Sequence, residues 1–184
     1  MKFSHLHLHS HYSLLDGMST IDEILSRVQE LEMESVALTD HGNLYGAIEF
    51  YKKAKARGIH PVIGCELYLA PRTIYDKDPN FDTHYFHLLV FAKNNTGYKN
   101  LLKLISLANL EGFYYKPRVD KNLLKEYHEG LIGTSGCLTG EIPKAILNKN
   151  KNKIKTLLEE YLDIFGKDDF YIEFQYHPEI KEQQ

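Results

Sequence analysis

His5, His7, His9 and His11 alternate with Leu6, Leu8 and Ser10 in the stretch HLHLHSHYSLLDG, residues 5–17. In an extended segment alternate residues share one face about 6.6–7 Å apart, so two or more imidazoles can close on a divalent cation. Asp16 follows, with Gly17 to bend the chain, and can bring a carboxylate to the same ion. Surface histidines on a half-exposed strand would show the same alternation, whereas a purification remnant would be a contiguous run. What favours metal binding is the recurrence of other ligand types downstream. Asp40 and His41 follow an apolar run, Glu66 sits inside VIGCEL, His87 inside YFHLLVFA and Cys137 in TSGC.

Each of these has its own chemistry. A carboxylate inside a core-like run, as at Glu66, is costly without a partner, so a metal or a buried cation explains it, and a carboxylate can bridge two ions. His41 can ligate, while Asp40 can ligate, orient an imidazole or accept a proton. His87 alone reads as readily as a satisfied core residue, Cys137 alone as a core cysteine, and His177 before Pro178 as surface loop. Cys65 belongs to the core, and His60, His84 and His128 sit beside loops or turns without assigned chemistry. Arg72, Lys116 and Arg118, with Phe113, Tyr114 and Tyr115, could grip a phosphate or stack a base; a solvent-facing or interdomain loop fits them equally.

Positioning such groups takes a regular scaffold, and the apolar periodicity supplies one. A first strand is expected over 2–9. Thr20 and Glu23 are spaced as a capping box for a helix whose stripe is Ile21, Ile24, Leu25, Val28 and Leu31. A short strand at 35–38, a helix over 45–57 stopped by Gly58, and a strand at 60–69 follow. After a polar loop at 71–83 come a buried strand at 85–92 and a helix from Asn95 or Thr96. Residues 109–119 read as irregular. A short helix over 121–127, a strand at 130–134 and a helix at 141–147 with Pro143 in its first turn come next. Lys149 to Lys155 read as a solvated low-complexity connector. The last elements are an amphipathic helix through Phe165, a strand at 170–174 and, in EIKEQQ, the opening of a helix.

Alternating strands and helices with short connections predict an α/β fold with a parallel sheet, and the polar residues after several strand ends favour a barrel. His87 is the exception, because its apolar run comes mostly after it. The chain has 184 residues, 43% of them hydrophobic, which suits one domain with a sizeable core. A formal charge of −3 argues against a generally basic, nucleic-acid-binding surface. Two cysteines are too few for a disulfide framework, no apolar run is long enough to span a membrane, and no signal-peptide pattern opens the chain. The expected compartment is the cytoplasm, without membrane partners.

HLHLHS, SLLDG, ALTDHGN, GCELY, HLLVFAKNNTGYKNL, EGFYYKPRVD and GLIGTSGCLTGEI, in this order and spacing, resemble the polymerase-and-histidinol-phosphatase (PHP) domain of bacterial DNA polymerase III alpha subunits. The resemblance spans essentially the whole chain. It implies a distorted TIM-like barrel of (β/α)7 type holding up to three divalent ions, zinc foremost, with manganese or iron as alternatives. On it, His7, His9, Asp16, His41, Glu66, His87 and Cys137 match metal ligands, with Glu66 bridging and Asp40 and Glu66 catalytic; His11 gains no role and His177 only a marginal one. The family's D-x-H motif would fall beyond position 184, so the resemblance implies a single-domain fragment, its barrel incomplete at the C-terminus. The implied activity is phosphoester hydrolysis, as 3′-to-5′ proofreading, within a protein that carries out templated DNA synthesis. Implied partners are the polymerase core of the same polypeptide, a DNA 3′ end and other replicase subunits such as a proofreading exonuclease. The alternatives are a metal-stabilised structural module and an independent phosphatase acting on a compound such as histidinol phosphate.

Overall fold

The computed structural model describes residues 3–180, and the chain divides into two compact units, Met1–Glu66 and Leu67–Gln184. The first contains helix α1 (Ile21–Glu30), strand β1 (Ser35–Leu38), helix α2 (Ala47–Ala56) and most of strand β2 (His60–Leu69). The expected capping box forms: Thr20 Oγ1 accepts the Glu23 N–H at 3.3 Å and Glu23 Oε2 accepts the Thr20 N–H at 2.7 Å. The apolar stripe of α1 then buries Ile21, Ile24, Leu25 and Val28 against Val36, Leu38, Phe50 and Ala54. Strands β1 and β2 pair in parallel from Ser35↔His60 to Leu38↔Ile63. An isolated bridge His41↔Glu66 continues the pairing at the same offset.

The first strand expected over 2–9 is not a strand among the described residues. His5 makes one parallel bridge to Val36, Ala37 N–H donates to His5 O and Thr39 N–H donates to Leu8 O, each at 2.9 Å. Leu8 N–H goes to the Thr39 hydroxyl instead of a backbone carbonyl. A side chain thus replaces one rung, and the segment lies along β1 without a continuous ladder.

In the second unit the end of β2 pairs in parallel with strand β4 (Arg118–Val119), Tyr68↔Arg118 and Leu69↔Val119. Strand β3 (Phe86–Ala92) runs antiparallel to β5 (Leu131–Thr134), and β5 runs parallel to β6 (Phe170–Tyr171). The helices are α3 (Asn95–Leu110), α4 (Lys121–Glu126), α5 (Glu141–Leu147) and α6 (Lys151–Phe165), and the core includes Leu89, Leu101, Leu104, Leu157, Tyr161 and Phe170.

Four expectations are corrected here. The sheet is mixed, because β3 opposes β5. The irregular stretch 109–119 ends in β4. The expected solvated connector is helical from Lys151, because Asn150 Oδ1 accepts the Lys153 N–H at 3.0 Å and caps α6 while the lysines stay on its wet face. The strand at 170–174 ends at Tyr171, since beyond it the Glu173 N–H turns to the Ser135 hydroxyl. Of the helix opening expected at 179–184, residues 181–184 lie outside the described residues, and 178–179 form a turn.

Candidate metal centre

The first unit gathers five of the expected ligands. Glu66, 1% exposed, has its carboxylate 3.0 Å from His9 Nε2, 3.1 Å from His41 Nδ1 and 3.4 Å from His7 Nε2. Asp16 Oδ2 lies 3.5 Å from His41 Nε2. The rings of His9 and His41 stack at 4.2 Å, and His7 meets His9 edge-on at 5.3 Å. Donor atoms of His7, His9 and Glu66 lie within 4.8 Å of one another, and so do those of His9, Asp16 and His41.

Local structure explains the convergence. His7 and His9 share a face because the segment is extended, which needs no formal strand. Register places His41 opposite Glu66: Gly42 N–H donates to Glu66 O at 2.9 Å and Glu66 N–H to Asp40 O at 3.1 Å. Asp16 is returned to the site by a tight turn in which the N–H groups of Asp16 and Gly17 both donate to Ser13 O. A side chain at Gly17 would meet Ser10 O at 2.1 Å, so only glycine closes this turn.

The donor set fits a cation. Several imidazole nitrogens face one buried carboxylate, an arrangement that a divalent ion held by neutral imidazole and ionised carboxylate satisfies. Which atoms carry protons follows from that assignment.

Asp40, expected to be catalytic, is tied to the loop that carries the ligands. It is 1% exposed, and its carboxylate accepts the Ser10 N–H at 2.7 Å, the Ser10 hydroxyl at 2.9 Å and the Ser13 hydroxyl at 2.7 Å. These bonds hold the loop bearing His9, His11 and Asp16. Ser10 and Ser13 escaped sequence reading; their only signal was polar residues inside an otherwise ligand-rich segment. Cys65 is buried, its thiol donating to Asp40 O at 3.2 Å, and burial pushes the thiol well above its ordinary range.

In the second unit, His87 and Cys137 come together. His87 Nδ1 lies 3.6 Å from Cys137 Sγ and 3.1 Å from Thr139 Oγ1, which is itself 2.7 Å from the sulfur. The antiparallel β3–β5 register, with Leu89 opposite Thr134, explains the misfit noted for His87. An antiparallel strand begins beside the carboxyl end of its partner, so a histidine early in β3 meets the turn after β5. His177 is about half exposed and lies 3.8 Å from Glu179.

The expected phosphate-gripping cations are corrected in part. Arg118 is fully buried: its guanidinium donates to the carbonyls of Gly112 at 3.2 Å, Asp82 at 3.1 Å, Ile74 at 3.3 Å and Asp76 at 3.1 Å. It is a structural clip, its guanidinium out of reach of solvent and given to four carbonyls. Arg72 pairs with the buried Asp82 carboxylate through Nε at 3.0 Å and through Nη2. The Lys116 ammonium lies over the Tyr68 ring at 5.3 Å.

Comparison with known proteins identifies the family. The sequence model of the family described as PHP domain matches residues 5–177. The chain is 50% identical over 183 residues to a DNA polymerase III subunit alpha from Borreliella burgdorferi, covering 99% of this chain and 16% of that protein. It is 49% identical over 187 residues to its counterpart from Thermus aquaticus, covering 98% of this chain and 15% of that one. The chain thus spans about one sixth of the length of these relatives. A crystal structure from Bifidobacterium adolescentis, described as a candidate metal-dependent phosphoesterase, superposes with a TM-score of 0.60 at 12% identity, covering 99% of this chain and 80% of that one. That likeness shows the fold, a mixed α/β arrangement of PHP-like, TIM-like type.

Proposed function

The chain belongs to the PHP domain family, and on that premise we propose that it is the metal-dependent phosphoesterase domain of a DNA polymerase III alpha subunit, removing nucleotides from a DNA 3′ end. The observation that carries the reading is the buried Glu66 carboxylate, met by nitrogens of His9, His41 and His7 within 3.4 Å. Near 50% identity to polymerase III alpha subunits over almost the whole chain supports the parent protein.

His7, His9, Asp16, His41 and Glu66 would hold divalent ions, Glu66 having imidazoles facing both of its oxygens. Within the second unit, His87 and Cys137 form a donor pair of their own. The mixture of imidazole, carboxylate and thiolate suits zinc first, with manganese or iron as alternatives and up to three ions in all. Such ions, when bound, lower the pKa of a coordinated water and draw charge from phosphate oxygens. The residues themselves do the positioning: Asp40 fixes the loop through Ser10 and Ser13, and the His9–His41 stack holds both rings in one orientation. The proposed setting is the cytoplasm, with the polymerase core, a DNA 3′ end and a proofreading subunit as partners. Among the described residues no helix is long and apolar enough to cross a membrane.

The test is metal content together with 3′-to-5′ hydrolysis of an oligonucleotide, with and without His9→Ala. A stoichiometric metal and a rate reduced at least about a hundredfold by the substitution are expected. A metal-replete, stable protein that hydrolyses no 3′ end would overturn the proposal in favour of a structural module. Preferential hydrolysis of histidinol phosphate would make it a small-molecule phosphatase.

A further inference from the structure

Asp40 holds the ligand-bearing loop at Ser10 and Ser13, and a second hold runs through Tyr12, which stands between His11 and Ser13. The Tyr12 main chain is engaged on both sides. Its N–H donates to the Ser10 hydroxyl at 3.2 Å, and its carbonyl accepts Asn43 Nδ2 at 3.1 Å. The same Asn43 nitrogen donates to His41 O at 3.0 Å. A shift of Tyr12 is therefore passed to His41 through Asn43, and through the adjoining Ser13 to the turn of Asp16, whose N–H donates to Ser13 O at 3.0 Å.

The Tyr12 side chain leads to α2. Its hydroxyl donates to Glu49 Oε2 at 2.9 Å, and its ring packs against the core formed by α1, β1 and α2. Lys53 Nζ fixes Glu49 at 2.7 Å and also pairs with Asp22, in the first turn of α1. Arg57 Nη2 meets the same Asp22 at 2.7 Å. Glu49, Lys53 and Arg57 follow at four-residue spacing, on one face. The chain from Tyr12 to Asp22 is thus tied at both ends to that face, with Asp16 between them. The ring also has a built seat. A side chain at Gly46 would meet the Tyr12 ring at 2.7 Å, its nearest contact. Gly46 has φ −82°, open to any residue, so the ring and not the backbone calls for glycine there.

We propose that Tyr12 is a positioning residue for the metal centre, its bond to Glu49 and its seat on Gly46 fixing the loop that presents Asp16 and the backbone that carries His41. The proposal rests on the metal centre of the phosphoesterase reading and adds the support that pre-forms it. Exposed ion pairs such as Lys53–Asp22 contribute little to global stability. A loop held at both ends, however, has less freedom to lose when its ligands close on an ion.

Cobalt(II) titrated into metal-free protein, followed by its visible absorption, reads affinity and ligand geometry together. Tyr12→Phe keeps the ring and deletes the bond; it should weaken cobalt binding by about tenfold and alter the band shape. Glu49→Ala should weaken it at least as much, and adding Tyr12→Phe to Glu49→Ala should cost nothing more, because the link is already gone. Gly46→Ala keeps both partners but displaces the ring, and should weaken binding too. Parent-like cobalt binding in Tyr12→Phe overturns the proposal, whatever the unfolding temperature, since a merely structural contact would lower stability and leave the titration unchanged. Additive losses in the double variant overturn it as well. A parent protein that binds no cobalt rejects the metal centre and the tether with it. The expected losses in a protein that hydrolyses no 3′ end keep the tether and reject the phosphoesterase reading alone.

Discussion

The Ser13 hydroxyl donates to the Asp40 carboxylate at 2.7 Å, and the same hydroxyl oxygen accepts the His41 N–H at 3.1 Å. Neither residue need bind a metal to matter, since between them they fix the loop of Asp16 and the backbone of His41. Partners of this kind typically change metal affinity by about 10–100-fold when removed. Ser13→Ala should therefore weaken metal binding by about tenfold, and Asp40→Asn by more, because it also disturbs Ser10. Competition with a fluorescent chelator would measure both, and wild-type affinity in Asp40→Asn would count against the arrangement.

Glu66 should behave differently. Its carboxylate is 1% exposed and faces three imidazoles, so Glu66→Gln removes the charge that holds them together. Bound metal should fall by at least one equivalent per chain by elemental analysis, with phosphodiester hydrolysis reduced by about a hundredfold or more.

Arg118 should govern stability alone. Replacing it with methionine strands carbonyls at Gly112, Asp82, Ile74 and Asp76. Each buried carbonyl left without its donor costs about 1–3 kcal/mol, which denaturant unfolding would register. Arg118→Lys should recover only part, since a point-like ammonium cannot span four carbonyls.

The Arg72 guanidinium holds the Asp82 carboxyl below its usual value, chiefly through their hydrogen bond. A lowered folded-state pKa means that stability is fully present above the ordinary aspartate value of about 4 and is lost as pH falls through the depressed one. Below about pH 4, Asp82→Asn should therefore approach the parent protein in stability, while remaining less stable at neutral pH. Equal separation at every pH, read from urea midpoints, would contradict the coupling.

Much of the centre was legible from the sequence because its signals were local. The alternation of His7 and His9 marks a shared face whether or not a ladder forms, and Glu66 betrays itself as a charge inside an apolar run. Thr20 and Glu23 specify their cap within a few residues. What escaped was decided by distant partners. No pattern in EGFYYKPRV reveals that Arg118 will bury itself among carbonyls from another loop. Composition made Lys151 to Lys155 resemble a linker, although Asn150 capped a helix there. The direction of β3, which brings His87 to Cys137, is a property of the sheet.

The constant offset between β1 and β2, from Leu38↔Ile63 to His41↔Glu66, has an evolutionary corollary. The turn that joins α2 to β2 can lengthen or shorten without disturbing the ligands, since it carries none of them, whereas the loop before α2 carries His41 and Gly42, which is bonded to Glu66. The two short arms from Leu38 to His41 and from Ile63 to Glu66 have no such latitude: a single inserted residue would turn His41, in the first arm, or Glu66, in the second, to the opposite face. Drift in this lineage should therefore accumulate insertions between α2 and β2 and none within the arms.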